Sequence, residues 1–194
     1  MKAVLISIQP KWCEMIARGE KTIEVRKTRP KIETPFKVYV YMTKHKWIFK
    51  LLPFLKNRFA KVIGEFVCDD IIVDERGENA DVFSKYAQLS LVEQKKYGAN
   101  KPLFGWHISK LKIYYKPKEL GEFWAYNEEL HERFANGEDF CCYNGTNEYG
   151  ELLNECAVFE TDIMRCYSCW EEWSGWCHRI TRPPQSWCYV EDLL

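Results

Sequence analysis

A change in the spacing of apolar residues at position 19 limits what this chain can fold into. Residues 10–18 place Trp12 and Ile16 on one side of a short helix. Gly19 suits the end of that helix because glycine tolerates a positive φ. From residue 21 to residue 28 polar and apolar side chains alternate, which is typical of a strand. The sequence therefore predicts a helix, a glycine turn and a strand in immediate succession.

Three charged side chains follow the glycine turn. If residues 21–28 form a strand, Thr22, Glu24 and Arg26 share one face and Lys21 lies on the other. One interpretation is a solvated strand face with a Glu24–Arg26 pair. The other is a polar pocket, in which the two cations hold an anionic or carbonyl-bearing ligand and Glu24 accepts hydrogen bonds or a proton.

This motif resembles the GxKxxExR signature of the ASCH domain, a PUA-like β-barrel family. Its fixed positions are Gly19, Lys21, Glu24 and Arg26. The motif lies between the first helix and the second strand, as in that family, and residues 4–10 resemble the family's first strand. Residues 182–190, with the run Pro-Pro-Gln-Ser-Trp, are similar to the tail of small bacterial and phage-type ASCH proteins. The resemblance covers residues 1–115 and 179–192.

The resemblance implies an α+β fold built on a small PUA-like barrel of five or six mostly antiparallel strands with two or three helices. Residue patterns agree with this expectation: strands at 36–43, 61–74 (one long strand or a bent pair, with a bulge at Gly64) and 102–115, and a helix at 81–97. We expect three parts, namely the barrel at 1–116, a Cys-rich insertion of helices and loops at 117–178, and an extended tail at 179–194 that packs back on the barrel.

Charge is unevenly distributed, although 28 Lys and Arg balance 28 Asp and Glu. Residues 1–62 contain 15 Lys and Arg against 4 Asp and Glu, and the remainder contains 13 against 24. Either a basic surface near the signature is available for phosphate, or the two halves face and neutralise each other. Within residues 44–61 lysines interleave with aromatic residues. That pattern fits a single-stranded nucleic-acid surface, an amphipathic excursion between strands, or, more weakly, attachment to a membrane surface.

Nine cysteines without a recognisable export signal indicate thiols in a reducing compartment, so we expect a cytoplasmic protein with no membrane span. A CxxC pair and two residues close behind it could hold a structural zinc ion. These four are Cys166, Cys169, Cys177 and His178, with Cys141, Cys142 and Cys156 as alternative ligands. Free thiols are the other interpretation.

The resemblance to ASCH proteins implies a module that binds RNA or a modified nucleoside. Its expected ligand-binding residues are Gly19, Lys21, Thr22, Glu24, Arg26 and, in the tail, Trp187. The tail is expected to be extended because it follows Pro183 and Pro184, and if it closes over the barrel beside the signature, Trp187 or Tyr189 lies near this pocket.

Some ASCH proteins are amidohydrolases of N4-acylated cytidine, and ribonuclease activity has also been linked to the family. The family's nucleophilic threonine is replaced here by Glu24, and residues 81–97 offer no clear supporting glutamate. An enzymatic version would use Glu24 to activate water and Lys21 to stabilise the developing oxyanion. A third hypothesis is a protein-interaction or regulatory module whose contact surface is the Cys-rich insertion.

Overall fold

The computed structural model describes residues 1–44, 57–99, 101–126, 128, 132 and 179–192. The chain divides into a larger unit, Ala3–Leu120 with Arg182–Cys188, and a smaller unit formed by the remaining residues. The strands are β1 (Lys2–Ile8), β2 (Ile23–Arg26), β3 (Phe36–Met42), β4 (Lys61–Asp74), β5 (Leu103–Glu119) and β6 (Trp187–Glu191). The helices are α1 (Pro10–Ala17), α2 (Ala80–Tyr86) and α3 (Leu91–Gly98), and Leu120–Glu122 forms a 3-10 turn.

The six strands form one mixed sheet in the order β2-β5-β4-β3-β1-β6. Strand β1 pairs with β3 in parallel, while β3–β4, β4–β5 and β2–β5 are antiparallel. Strand β1 is buried on both faces, as its continuous apolar run predicts. The fold is therefore α+β. We expected five or six strands and two or three helices, and the described residues form six strands and three helices.

Closure of this sheet into a barrel, which we expected, is not confirmed. Within the described residues the hydrogen-bonded order has two ends, β2 and β6, so the backbone ladders leave the sheet open. Side chains nevertheless join its distant strands. Arg26 of β2 donates a hydrogen bond of 2.6 Å to the carbonyl oxygen of Ser7 on β1. The indole Nε1–H of Trp187 donates to the Thr28 hydroxyl, just after β2, at 3.0 Å.

The helix expected over residues 81–97 is two helices. Gln88 has a φ of 57°, which interrupts the helical path between α2 and α3. Helix α3 begins with a capping box, because the Ser90 hydroxyl accepts from the Glu93 N–H and the Glu93 carboxylate accepts from the Ser90 N–H. The Ser-Leu-Val-Glu sequence at 90–93 is a capping-box pattern that indicates the start of α3. The apolar residues keep a helical spacing from one helix to the next, so this spacing alone predicts a single helix.

Register shifts bend β4 and β5, which run side by side for most of their length. A shift follows Val62, and a Cβ at Gly64 would lie 2.5 Å from the Lys112 carbonyl oxygen. The bulge expected at Gly64 is thus confirmed, and glycine is needed there because the β5 backbone approaches so closely. A further shift falls between Cys68 and Ile71.

In the smaller unit, two backbone bridges connect residues 124–125 with the C-terminal part of the chain: Trp124 with Arg179 and Ala125 with Val190. Lys2 pairs with Glu128 at 2.9 Å, and its ammonium group lies over the rings of Tyr126 and Tyr189.

In the described part of the chain, no helix combines the length and apolar character needed to cross a bilayer.

Candidate functional site

The glycine turn brings Lys21 towards β2. Gly19 has a φ of +74°, and the Lys21 N–H donates to the Met15 carbonyl oxygen, so the chain folds back against the end of α1. Lys21 precedes β2, which begins at Ile23, so strand alternation does not apply to it. The expectation that Lys21 points away from Glu24 is therefore wrong.

Glu24 is held between two cations. Its Oε2 lies 3.3 Å from the Lys21 Nζ, and its Oε1 lies 3.0 Å from the Arg26 Nη2. All three residues are buried, with exposed fractions of 2% for Lys21, 6% for Glu24 and 8% for Arg26. The solvated-face interpretation is thereby excluded, since a solvated Glu–Arg pair would leave its carboxylate in water.

Each cation also reaches a backbone acceptor. Lys21 donates to the Ala87 carbonyl oxygen at 2.8 Å, and Arg26 donates to the Ser7 carbonyl oxygen at 2.6 Å. Burial lowers the pKa of Lys21, and Arg26 lowers it further, against the opposing effect of the Glu24 carboxylate. The cluster carries two positive groups and one negative group in a setting where charge interacts more strongly than in water.

One hydrogen-bond donor of Arg26, its Nε–H, is not used in the structure described. Its buried Nε has no hydrogen-bond partner among the described residues. Such a donor is costly to leave unpaired, so an acceptor that reaches it on binding gains free energy. The nearby Tyr97 is half-buried, and its burial raises the pKa of its phenol, against the opposing influence of Arg26. A neutral phenol can both donate and accept a hydrogen bond.

These groups form part of the wall of a cavity of about 810 Å³ in the larger unit. That volume falls within the range of small-molecule sites. The lining residues come from five parts of the chain: Ser7, Ile8, Gln9 and Trp12; Lys21 and Glu24–Lys27; Thr43; Leu89, Glu93, Lys96 and Tyr97; and Pro183, Pro184 and Gln185.

The structure sorts the residues expected to bind ligand into two groups. Lys21, Glu24 and Arg26 line the cavity, whereas Gly19, Thr22 and Trp187 are not among its lining residues. Thr22 is tied down by its backbone, which bonds to the Tyr86 carbonyl oxygen and the Ile108 N–H. Gly19 contributes the turn.

The tail does reach the cavity, through different residues from those expected. Pro183, Pro184 and Gln185 line it, and the Ser7 hydroxyl donates to the Pro184 carbonyl oxygen at 2.7 Å. Trp187 instead lies against Trp106, with ring centroids 6.1 Å apart. Trp187 is not itself a lining residue, its ring packs the tail against Trp106, and its placement near the pocket stays a prediction.

Sequence reasoning missed two aromatic residues of the cavity wall, Trp12 and Tyr97. The Lys21 ammonium lies 5.2 Å from the Trp12 ring centroid, and the Lys27 ammonium lies 4.9 Å from that of Tyr97. The available signal for Trp12 was its position in α1, about two helical turns before Gly19. Tyr97 could not be placed without knowing that the helical pattern breaks before residue 91.

All expected zinc ligands, Cys166, Cys169, Cys177 and His178 together with Cys141, Cys142 and Cys156, lie outside the described residues, as does most of the basic aromatic segment 44–61. In the described ranges no group of three or more His, Cys, Asp and Glu could hold a metal ion. Burial raises the pKa of Cys68 to about 12 and that of Cys188 to about 11, so both thiols stay protonated at neutral pH. Structural zinc in residues 141–178 stays a prediction.

No protein-family profile and no curated protein matches the chain. Its fold is similar to that of an ASCH protein from Zymomonas mobilis, at 18% identity and a TM-score of 0.48 over 69% of this chain and 80% of the other. Structures of two single-substitution variants of that protein match at 18% identity, with TM-scores of 0.46 and 0.45. They cover 70% and 61% of this chain, and 84% and 74% of theirs.

Proposed function

We propose that the cavity binds one nucleoside unit, either as a modified nucleoside or as part of an RNA. The observation that carries this proposal is the buried Lys21–Glu24–Arg26 cluster in the cavity wall. A nucleobase presents hydrogen-bond donors and acceptors side by side on one edge. A carboxylate flanked by two cationic donors presents the complementary arrangement.

The cluster favours bases that carry an amino group beside a carbonyl group. Glu24 accepts two bonds from its cations, and a carboxylate offers about four acceptor sites, so it has capacity for a base amino group. The Nε of Arg26, which has no hydrogen-bond partner in the described part of the chain, is the donor we assign to a base carbonyl oxygen. Cytosine and guanine carry both groups on one edge, so we expect them to bind better than uracil and adenine.

Aromatic side chains in the same wall favour a planar ligand. Trp12 and Tyr97 both line the cavity, and stacking of one base on an aromatic ring contributes about 1–3 kcal/mol. The basic first third of the chain agrees with an anionic polymer such as RNA, since residues 1–62 hold 15 Lys and Arg against 4 Asp and Glu.

Calorimetric titration of purified protein with cytidine, guanosine, uridine and short single-stranded RNA tests the proposal. We expect Glu24→Gln to lower affinity for cytidine and guanosine by more than about tenfold, because the charged acceptor is lost. Glu20→Gln is the matched control, since Glu20 is exposed and does not line the cavity. Equal binding by the wild type and Glu24→Gln, or no binding of any of these ligands, would refute the proposal.

A second candidate function, hydrolysis of N4-acylated cytidine, is favoured by one observation: the lowered pKa of Lys21. A lysine whose pKa is lowered gives up its proton more readily than an ordinary lysine, which makes it a better donor to a developing oxyanion. In this scheme Glu24 takes a proton from water, the resulting hydroxide attacks the amide carbonyl, and Lys21 stabilises the oxyanion. The amide C–N bond then breaks, the acyl group leaves as a carboxylate, and the proton held by Glu24 passes to the departing N4 amine of cytidine. Ribonuclease activity would use the same groups.

Turnover of N4-acetylcytidine separates the two functions. An amidohydrolase releases cytidine and acetate, and loses this activity in both Lys21→Ala and Glu24→Ala but not in Glu20→Ala. Absence of turnover by the folded wild type, with cytidine binding intact, leaves the cavity as a binding site only. Incubation with single-stranded RNA tests cleavage in the same series of variants.

The protein-interaction hypothesis concerns residues 137–178, which the structure does not describe. It stays a prediction with a direct test. If this segment is the functional surface, its deletion abolishes the function while ligand binding by the cavity persists.

A further inference from the structure

Two exposed lysines from different elements line the cavity. Lys27 follows Arg26 at the end of β2, and Lys96 lies in the last turn of α3. Both line the cavity that contains the Lys21–Glu24–Arg26 cluster. The two residues are 69 positions apart in the sequence, so only the tertiary fold places both in the wall of one cavity.

Neither lysine has an anionic partner within the described residues. No carboxylate lies within 4.0 Å of the Lys27 or Lys96 ammonium group, and Lys27 instead lies over the Tyr97 ring. The nearest candidate by position, Glu93, is engaged elsewhere. Its Oε2 accepts from the Ser90 hydroxyl at 2.7 Å and from the Ser90 N–H at 2.9 Å.

The charge of the lining residues leaves an excess of cations. Four lysine and arginine side chains face two carboxylates, a net charge of +2. The buried cluster of Lys21, Arg26 and Glu24 carries one of these excess positive charges, and Lys27, Lys96 and Glu93 together carry the other. A cavity with a net positive charge attracts an anion and raises its local concentration.

We propose that Lys27 and Lys96 form a phosphate subsite, so that the ligand is a nucleotide or a phosphodiester-linked residue of RNA rather than a free nucleoside. This inference rests on the proposed nucleoside-binding function. Burial suggests which residues bind which part of the ligand. The buried Lys21–Glu24–Arg26 cluster binds the base edge, and the exposed lysines bind the strongly hydrated phosphate. The Lys27 ammonium lies over the ring of Tyr97, which also lines the cavity.

The test compares calorimetric affinities for cytidine and guanosine with those for their 5′- and 3′-monophosphates. We expect at least one monophosphate to bind about fivefold or more tightly than its nucleoside, because two cations contribute at a partly exposed site. In the double variant Lys27→Gln/Lys96→Gln we expect the ratio of monophosphate to nucleoside affinity to fall to about one. Lys95→Gln is the matched control, since Lys95 is an exposed neighbour on α3 that does not line the cavity.

The outcomes distinguish this inference from the function on which it rests. Equal affinity for nucleoside and monophosphate, or a gain that survives in the double variant, overturns the phosphate subsite and leaves the nucleoside pocket standing. Inorganic phosphate is a separate arm, and if it binds as tightly as the monophosphates, the lysines form a free-phosphate site and the nucleotide assignment is wrong. Failure of every nucleoside and nucleotide to bind overturns both.

Discussion

The ammonium group of Lys21 donates a hydrogen bond of 2.8 Å to the carbonyl oxygen of Ala87, which caps the C-terminal end of α2. Carbonyl groups at a helix C-terminus lack intrahelical partners and carry partial negative charge. The signature lysine therefore anchors a helix as well as facing the cavity. Loss of function on its substitution consequently needs a stability measurement beside it.

Replacing Lys21 with methionine should destabilise the fold. The change removes the donor to the buried Ala87 carbonyl oxygen. It also removes one of the two ion pairs of Glu24 and leaves the pair with Arg26. We expect the free energy of unfolding, measured by urea denaturation, to fall by about 2–4 kcal/mol. The exposed Lys95→Met should change it by less than about 0.5 kcal/mol. Similar small effects from both substitutions would show that the buried cluster contributes little to stability.

The stability difference between wild type and Lys21→Met should depend on pH. Burial lowers the pKa of Lys21 from its ordinary value of 10.5, so the unfolded chain binds this proton more tightly than the folded protein does. The contribution of this group to stability is therefore lost as pH falls through the lowered pKa and fully present above 10.5. Urea denaturation of both proteins between pH 7 and 10.5 measures it. A difference that is constant or shrinks with rising pH contradicts the lowered pKa.

Alanine should not be tolerated at Gly105. An added Cβ would lie 2.5 Å from the Phe83 Cε1 and 2.9 Å from the Ile23 Cγ2, in a buried cluster between β2, β5 and α2. We expect thermal or urea unfolding to show a loss of about 1–3 kcal/mol. Gly98→Ala is the control, because its Cβ would meet Leu103 at an ordinary 3.5 Å and alanine favours the helix. Equal stability of the two variants would contradict the close packing.

Trp187 should act through stability rather than ligand contact. Trp187→Phe keeps a ring against Trp106 but removes the donor to the Thr28 hydroxyl, and we expect a loss of about 1 kcal/mol. In a double-mutant cycle with Thr28→Val, the two losses should be less than additive. Nucleoside affinity of Trp187→Phe should match the wild type. A drop in affinity at unchanged stability would return Trp187 to the binding site.

Local patterns predicted local structure well. The helix at 10–18 is found at Pro10–Ala17, the strand at 36–43 at Phe36–Met42, and Gly19 takes the positive φ expected of it. The cavity wall brings together Lys21, Glu24 and Arg26. Glu24 and Arg26 share one face of β2, and the turn at Gly19 places Lys21 beside them. These features depend on residues close in sequence.

Features that depend on distant residues were not predictable from a single chain. Whether a sheet of six strands closes depends on how its edges meet after twisting, and here Arg26 and Trp187 connect them through side chains. Tyr97 and Lys96 enter the cavity only because Gln88 breaks the helical path, and the Ala87 partner of Lys21 lies 66 residues away. Periodicity within one segment carries no information about such contacts.

The tail residues in the cavity wall affect when the site can exist during synthesis. Ser7, on the first strand, donates to the carbonyl oxygen of Pro184, 177 residues later, and both line the cavity. Ribosomes release chains from the N-terminus onward, so the strands and helices up to residue 120 can form before this wall is complete. The wall of the cavity is therefore complete only after residues 183–185 have left the ribosome. A nascent chain without them has the charged cluster but lacks this part of the wall.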